Sequence, residues 1–204
     1  PDMTDHSKDI SIVLKLDNSK ARHHKISANL GRQLDFDPRR RQNVEMVFLV
    51  SSTAQARLIR PQLSFYRATT LPVYATSRVY SGHPDSAKDA DMNGIVFCDM
   101  PWVLETDGQW AHLQQAISEH WPKQASRYAR LYALGIDAYR VIPYVSELGG
   151  GMFGSYHGVT GNLSLGNAGK INRSLRCAKF RQGLPVLLEP STADDSQTTG
   201  TTIR

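Results

Sequence analysis

Three short apolar runs constrain the fold of this 204-residue chain more than any other feature: "VEMVFLV" (44–50), "TLPVYATS" (70–77) and "GIVFCDM" (94–100). Each run is rich in β-branched and aromatic residues, which is typical of strands. A helical pattern with Ser52 or Thr53 as its N-cap and Pro61 in its middle separates the first two runs, and a polar loop precedes the third. The first run is apolar on both faces, which favours a parallel sheet covered by helices. The order of these segments predicts an α/β fold.

The rest of the chain predicts further helices and then antiparallel strands. Two short helices are expected in residues 9–30, broken near "LDNS" and stopped at Gly31, and Pro38 favours a loop over 34–43. Later elements are helices at about 109–121 and 125–146, the second capped by Ser126, and strands near 162–165, 170–180 and 184–188 with a "GNAG" hairpin turn. The Ser/Thr-rich residues 191–204 predict a disordered tail.

The net charge of +5, from 24 Lys and Arg against 19 Asp and Glu, raises the question of an anionic partner. Nucleic-acid binders concentrate such an excess on one face among aromatic residues, whereas arginine recurs along this whole chain. We therefore expect no nucleic-acid partner, while an anionic lipid surface or an acidic polymer is equally compatible with the charge. No uninterrupted apolar run approaches the roughly 18 residues of a membrane span. Because there is no initiator Met and no signal-peptide pattern, we expect a part of a longer protein whose targeting signal or lipid anchor lies upstream.

Three consecutive arginines, Arg39, Arg40 and Arg41, stand directly before the first apolar run. The simplest interpretation is a loop that leads into a buried strand and pairs with acidic groups or with a neighbouring lobe. Their charges also make them candidates for a contact with a partner protein.

The sequence contains no recognisable catalytic or metal-binding motif. The glycine-rich "GGGMFGSYHGVTG" is followed by strands rather than by the helix N-terminus that a phosphate loop requires. No GxSxG or HExxH pattern occurs, and the pair His112 and His120 has no further ligands at suitable spacing. We expect no catalytic residues, no metal and no cofactor.

The carboxyl ends of the three predicted strands carry a set of polar side chains. In an open α/β sheet, ligands bind beyond these ends. The candidate residues that could line a cleft for a small polar ligand are Ser51, Ser52, Thr76, Ser77, Arg78, Asp99 and Trp102. The alternative is that the small hydroxyl residues only cap the helices that follow.

The chain has two cysteines, Cys98 and Cys177, which form neither a CxxC pair nor a metal cluster. Both lie in segments that predict strands. Two buried thiols and a single disulfide both remain open, and an oxidising compartment would favour the disulfide.

Several long motifs resemble one known family. "RRRQNVEMVFLV", "QARLIRPQLSFYRATTLPVYATSRVYSG", "MNGIVFCDMPWVL", "RLYALGIDAYRV" and "GVTGNLSLGNAGKINRSLRCAKFRQG" are similar to the C-terminal domain of LpoA, the LppC-type outer-membrane lipoproteins. The resemblance covers roughly residues 9–188. It implies an α/β fold like that of type 1 periplasmic binding proteins, with two lobes joined by crossover strands.

The resemblance also implies a function. Members of this family are bacterial lipoproteins anchored to the inner face of the outer membrane. They reach across the periplasm to a bifunctional class A penicillin-binding protein and stimulate its peptidoglycan synthesis, and they are activators rather than enzymes. The family's N-terminal helical-repeat domain and lipidated cysteine have no counterpart in this sequence. A solute-binding module that closes on a small polar ligand is the alternative that the fold alone suggests.

The resemblance implies mainly the second lobe together with helices of the first. We expect a linker or disorder over 1–8, an α/β lobe with parallel strands over 9–108, helices of the other lobe over 109–148, and a hinge with antiparallel strands that complete the α/β lobe over 149–190. The helices would lack a sheet to cover, because the parallel strands of their own lobe are not in this sequence. Their apolar side chains Leu131, Leu134, Tyr139 and Ile142 would then form an exposed patch, unless the helices pack in some other way.

Overall fold

The computed structural model describes residues 5–106, 108–145, 148, 155–166 and 169–189. The predictions for residues 1–4, for the glycine hinge at 149–154 and for the tail at 191–204 lie outside these residues. The helices are α1 (Ser7–Val13), α2 (Leu16–Leu30), α3 (Thr53–Phe65), α4 (Pro101–Leu104), α5 (Ala111–His120), α6 (Pro122–Arg127) and α7 (Ala129–Arg140). The strands are β1 (Val47–Leu49), β2 (Val73–Ala75), β3 (Ile95–Asp99), β4 (Tyr156–Gly158), β5 (Gly161–Leu165), β6 (Ile171–Ser174), β7 (Arg176–Arg181) and β8 (Leu184–Leu187).

A five-stranded mixed sheet in the order β1-β2-β3-β7-β8 carries the α/β part of the fold. The strands β1, β2 and β3 are parallel, as the three apolar runs predicted, and β7 and β8 extend the sheet in antiparallel pairing. Gln182 and Gly183, both at positive φ, form the tight turn between β7 and β8, a backbone that matches the twist of a hairpin. A second, three-stranded antiparallel sheet is formed by β4, β5 and β6.

The hydrophobic core lies on one face of the five-stranded sheet. Five inward side chains are at most 1% exposed: Val73, Ile95, Phe97, Ala178 and Phe180. Phe97 and Phe180 stack with ring centroids 5.1 Å apart, and α1 and α3 cover this face. Full burial of each large side chain in this set stabilises the folded state by about 1.5–3 kcal/mol.

The opposite face of the same sheet is open to solvent, and the prediction that helices cover both faces was wrong. Phe48 is 64% exposed, and its row of sheet partners continues through Tyr74, Val96, Lys179 and Val186. The physical reason is the strand order. Because the parallel strands follow one another in one direction, right-handed crossovers place both connections on the same face.

The helix α3 is held by a cap at its N-terminus and by an ion pair in its first half. Ser52 accepts a hydrogen bond from the Gln55 amide, and Gln55 Oε1 accepts one from the Ser52 amide at 3.0 Å, which is a complete capping box. Arg57 donates to the fully buried Asp89 carboxylate at 2.7 Å, and this ion pair ties the helix to the connection before β3. The predicted N-cap at Ser52 is confirmed.

Two other element predictions were wrong. The helix expected over 125–146 is divided into α6, α7 and a 3₁₀ turn at Ile142–Tyr144, and Ser126 lies inside α6 rather than at a cap. Pro122 starts α6 one turn earlier, as proline suits the first helical position. The strand expected over 170–180 is divided at Leu175, where the chain passes from the small sheet (β6) to the large one (β7).

Candidate functional site

The carboxyl ends of β1, β2 and β3 meet at one edge of the large sheet, as the sequence predicted. Ser51 and Ser52 follow β1, Thr76 and Ser77 follow β2, and Asp99 ends β3. Because the three strands are parallel neighbours, these residues are brought together. The geometry therefore gathers most of the candidate cleft residues.

The hydroxyl groups at this edge divide into two kinds. The Ser52 hydroxyl caps α3. For this residue, the alternative that the hydroxyl caps a helix is therefore confirmed. The Ser51 and Thr76 hydroxyl oxygens are buried and have no hydrogen-bond partner among the residues that the structure describes. Arg78 is exposed, and its carbonyl accepts a hydrogen bond from the Thr53 hydroxyl at 3.5 Å.

The carboxylate of Asp99 is already occupied by a cation of the chain. Arg130, on α7, donates from Nε to the two carboxylate oxygens at 3.1 and 3.2 Å and from Nη2 to the second oxygen. The same Nη2 donates to the carbonyls of Ser77 and Tyr80 at 3.3 and 3.1 Å. Asp99 is only 2% exposed. The pair therefore fastens α7 to the sheet edge rather than leaving the carboxylate to a ligand.

Burial also governs the titration of Tyr80 beside this pair. Desolvation, followed by the negative charges of Asp89 and Asp99, raises the pKa of Tyr80 to about 12. The ring of Tyr80 packs against the rings of Phe97 and Phe180.

Trp102 is buried in α4 and lines an open cavity of about 320 Å³ between this edge and the helices α5, α6 and α7. It is the one member of the seven candidate cleft residues that lines this cavity. The opposite wall includes Gln114 and Ser126, and His83 makes a hydrogen bond with the Ser126 hydroxyl. The predicted cleft residues thus share an edge of the sheet but do not line a common cavity here.

The buried carboxylate of Asp137, on α7, joins this helix to the small sheet. Asp137 is 3% exposed and accepts hydrogen bonds from the Val159 amide at 2.8 Å, the Thr160 amide at 2.7 Å and the Thr160 hydroxyl at 2.6 Å. Val159 and Thr160 form the turn between β4 and β5. These three donors satisfy the hydrogen-bonding capacity that a buried carboxylate requires.

Sequence reasoning missed Arg130 and Asp137, although the sequence contains a signal for them. The two residues lie seven positions apart, which is two turns of a helix, on the same side as the fully buried Ala133. A charged residue at each end of a buried stripe is unusual, because charges are rarely buried without a partner. We infer that α7 is the element that connects the two sheets.

Substitution of Gly158 tests the fit of the small sheet against Asp137. An added Cβ would lie 2.7 Å from Asp137 Cγ, so Gly158→Ala is expected to lower the free energy of unfolding by about 1–3 kcal/mol through overpacking. Chemical denaturation measures this change. Gly135→Ala in α7 is the matched control, since a Cβ there meets nothing within 4 Å and should stabilise the helix by about 0.5–1 kcal/mol. Equal effects of the two substitutions on the free energy of unfolding would contradict the close packing of Gly158 against Asp137.

The outward side of α7 carries an exposed apolar patch, as the sequence analysis expected. We call this patch the α7 face, and it consists of Leu131, Leu134, Tyr139 and Ile142, all between 50% and 79% exposed. Three cavities border it. One of about 360 Å³ includes Leu134, one of about 390 Å³ includes Tyr139 and Ile142, and one of about 520 Å³ includes Tyr139.

The three arginines of the triplet lie in the loop that approaches the start of α2. The Arg39 amide donates to the Ser19 hydroxyl at 3.2 Å, and the Arg41 amide donates to the Leu14 carbonyl at 3.0 Å. The arginine side chains line an open cavity of about 530 Å³. The triplet is a loop before a strand, as expected, and its predicted pairing with acids is absent: within the described ranges, none of the three makes an ion pair.

Cys98 and Cys177 are joined by a disulfide in this structure. They lie directly opposite each other in β3 and β7, with their Cα atoms 3.9 Å apart. Both are half-buried on the open face of the large sheet.

The described residues contain neither a candidate metal site nor a helix that could span a membrane. They contain no group of three or more His, Cys, Asp or Glu that could hold a metal ion. Among the same residues, the helices are all too short or too polar to cross a bilayer.

Comparison with known families gives a match over most of the chain. Residues 2–183 match the family described as "LppC putative lipoprotein". Among curated proteins, the penicillin-binding protein activator LpoA of Vibrio antiquarius is 30% identical over 175 residues, which is 84% of this chain and 28% of the relative. The activator of the same name from Yersinia pseudotuberculosis is 31% identical over 150 residues, 72% of this chain and 22% of the relative. The chain therefore spans less than a third of the length of these relatives.

Solved structures confirm the α/β fold of the periplasmic-binding-protein type. The LpoA C-domain from Haemophilus influenzae, described as a regulator of PBP1A, has a TM-score of 0.59 at 21% identity, covering 84% of this chain and 57% of that one. Full-length LpoA from the same organism has a TM-score of 0.61, also at 21% identity, covering 83% of this chain and 33% of that one. A "putative branched-chain amino acid ABC transporter" from Rhodospirillum rubrum has a TM-score of 0.50 at 16% identity, covering 83% and 48%.

Proposed function

The chain belongs to the LppC family, and from this premise we propose that it is a non-catalytic periplasmic regulator of peptidoglycan synthesis. It binds and stimulates a bifunctional class A penicillin-binding protein. The observation that carries the proposal is the match over residues 2–183, together with curated relatives that are named penicillin-binding protein activators.

The proposed location is the periplasmic side of the bacterial outer membrane, with a lipid anchor as the attachment. The lipoprotein family supports this location. So does the Cys98–Cys177 disulfide, because disulfides persist in oxidising compartments such as the periplasm.

The proposed domain organisation assigns the segment 109–148 to a different lobe from the strands on either side of it. After this segment the chain returns to the large sheet through β7, which pairs with β3. This return supports a single α/β lobe made from 9–108 and 149–190. The contacts of Arg130 and Asp137 then hold the helical segment to both sheets.

The proposed contact surface for the synthase is the α7 face. Interface cores are enriched in aromatic side chains that fill pockets of the partner, and the exposed Tyr139 borders two of the cavities beside α7. Regulation requires that the chain bind the active conformation of the synthase more tightly than the inactive one. The α7 face would supply that differential affinity.

The solute-binding module is the second candidate function. The unpartnered hydroxyls of Ser51 and Thr76 favour it, since buried polar groups usually find partners. The Asp99–Arg130 pair argues against it, because the one carboxylate at the strand ends is already neutralised.

Substitution of Tyr139 tests the proposed contact surface. Tyr139→Ala is expected to weaken binding to a purified class A penicillin-binding protein by about tenfold or more, as the loss of a central aromatic anchor does. Binding is measured by pull-down and titration, and stimulation by glycan polymerisation and crosslinking. Phe65→Ala is the matched control, because Phe65 is an equally exposed aromatic side chain (81% against 79% for Tyr139) on α3.

The outcomes separate the proposals. Binding that both variants retain would move the contact away from the α7 face while leaving the function intact. A folded wild-type chain that does not bind the synthase would contradict the proposed function, and the solute-binding module would then be the function to test.

A further inference from the structure

Five cationic side chains surround a single cavity at the junction of α1, α2 and the loop before β1. The cavity has a volume of about 530 Å³, and we call it the basic cavity; it is lined by Lys15, Asn18, Ser19, Arg22, Arg39, Arg40, Arg41 and Gln42. Every ionisable residue in this lining is a cation. We propose that the basic cavity binds a phosphoryl group that carries two or more negative charges, a site separate from the proposed synthase contact.

The absence of internal neutralisation is the first argument. Within the part of the chain that the structure describes, none of the five cations forms an ion pair. The acids nearest in sequence are engaged elsewhere, since Asp17 pairs with Lys20 at 3.8 Å and Asp37 pairs with Arg67. Like charges held close together repel, so an anion that enters the cavity relieves an unfavourable field.

The fixed backbone of the cavity is the second argument. Lys15 has a left-handed φ of 55°, which is uncommon for a residue other than glycine, and it stands between Leu14 and Leu16, each 1% exposed. Two buried neighbours therefore hold Lys15 in place. Strained backbone of this kind is found preferentially at binding sites.

Hydrogen bonds hold the loop of Arg39, Arg40 and Arg41 that lines the cavity. The Arg39 amide donates a hydrogen bond to the Ser19 hydroxyl, and the Arg41 amide donates one to the Leu14 carbonyl. Arg40 donates to the Arg67 carbonyl at 3.3 Å and to the Arg41 carbonyl at 3.1 Å, and Arg41 donates to Asn43 at 2.8 Å. These acceptors are neutral, and both guanidinium groups have further N–H donors for a ligand.

The residue types and the cavity size favour phosphoryl over carboxylate. Guanidinium groups match phosphate oxygens through paired N–H donors, and a phosphate ester carries nearly two charges where a carboxylate carries one. A volume of about 530 Å³ exceeds that of one phosphate, which suits a diphosphate or a phosphorylated headgroup. The phosphoryl group could belong to a soluble compound or to a lipid, and both present the same chemistry.

Calorimetric titration of the 204-residue chain with pyrophosphate tests the site. We expect saturable binding that weakens as salt is raised, and a loss of affinity of about tenfold or more in the Arg40→Gln/Arg41→Gln variant, since charge-assisted contacts are removed. The Lys15→Gln/Arg22→Gln variant should show a similar loss. Its side chains are exposed and make no hydrogen bond to another described residue, so its fold should be unaffected.

The control is Lys25→Gln/Arg32→Gln, which removes the same net charge at exposed positions outside the cavity. This variant should bind pyrophosphate as the wild type does. An equal loss in the control, or no binding by the wild type, would overturn the proposal.

Two further titrations identify the source of the phosphoryl group. Phosphatidylcholine vesicles that contain phosphatidic acid, compared with phosphatidylcholine alone, test a lipid headgroup. Binding to the former that depends on Arg40 and Arg41 assigns a lipid headgroup, whereas binding of pyrophosphate with no binding to either vesicle assigns a soluble compound. Polyglutamate that binds as tightly as pyrophosphate, with the same dependence on the two arginines, would overturn the phosphoryl assignment in favour of an acidic protein segment.

Discussion

Replacement of Arg130 by methionine is expected to lower the free energy of unfolding by about 3–5 kcal/mol. The substitution leaves the Asp99 carboxylate, which is 2% exposed, without its cationic partner. It also leaves the carbonyls of Ser77 and Tyr80 without their donor from Nη2. An uncompensated buried charge is among the most costly defects that a single substitution produces.

Urea denaturation followed by circular dichroism measures this loss. In the double variant Asp99→Asn/Arg130→Met, the charge is removed together with its partner, and part of the lost stability should return. Arg127→Met is the control, because Arg127 is exposed on α6 and its replacement should change stability by no more than about 0.5 kcal/mol. If Arg130→Met and Arg127→Met have the same effect, the ion pair is not what holds α7 to the sheet.

Loss of the disulfide is expected to cost about 2–5 kcal/mol. The bond closes a loop with a sequence separation of 79 residues, and a cross-link over a loop of this length restricts the unfolded chain strongly. The double variant Cys98→Ala/Cys177→Ala, or the wild type in dithiothreitol, should therefore unfold at a lower urea concentration.

The reductant provides its own control for this measurement. Dithiothreitol should shift the transition of the wild type and leave that of the double variant unchanged, since the variant has no bond to reduce. A wild type whose transition is identical in oxidising and reducing buffer would show that the bond adds no stability in solution.

The large sheet could be predicted in part from the sequence because its strands carry a local signal. The three apolar runs are bounded by polar residues, and the Ser52 cap marks the start of α3, so β1, β2, β3 and α3 were found. The open outer face was not found. Phe48 and Tyr74 look like core residues in the sequence, and only the order of the strands places them away from the covering helices.

The later elements were less predictable because their limits depend on tertiary contacts. β6 and β7 read as one continuous strand, and the change of sheet at Leu175 is decided by the partners on each side, β5 and β3. The strand β4 was missed, since its three residues show no strong alternation. Its position depends on the turn that Asp137 binds.

The candidate site was likewise predictable only in part from the sequence. The polar residues at the strand ends were identified, because parallel topology alone brings them to one edge. That Arg130 would neutralise Asp99 was not foreseen, since the two residues are 31 positions apart and nothing in the local pattern links them. Of the cations around the basic cavity, only Arg39, Arg40 and Arg41 were singled out from the sequence, and then as a candidate contact with a partner protein. Lys15 and Arg22 join the cavity through the fold of α1 and α2.

The disulfide between β3 and β7 makes a closed covalent ring of the chain from Cys98 to Cys177. This ring contains α4 to α7 and the whole of the small sheet. A protease that cuts the ring once cannot release a fragment, because the two pieces remain joined through sulfur. A single cut would therefore leave the helical segment attached to the large sheet.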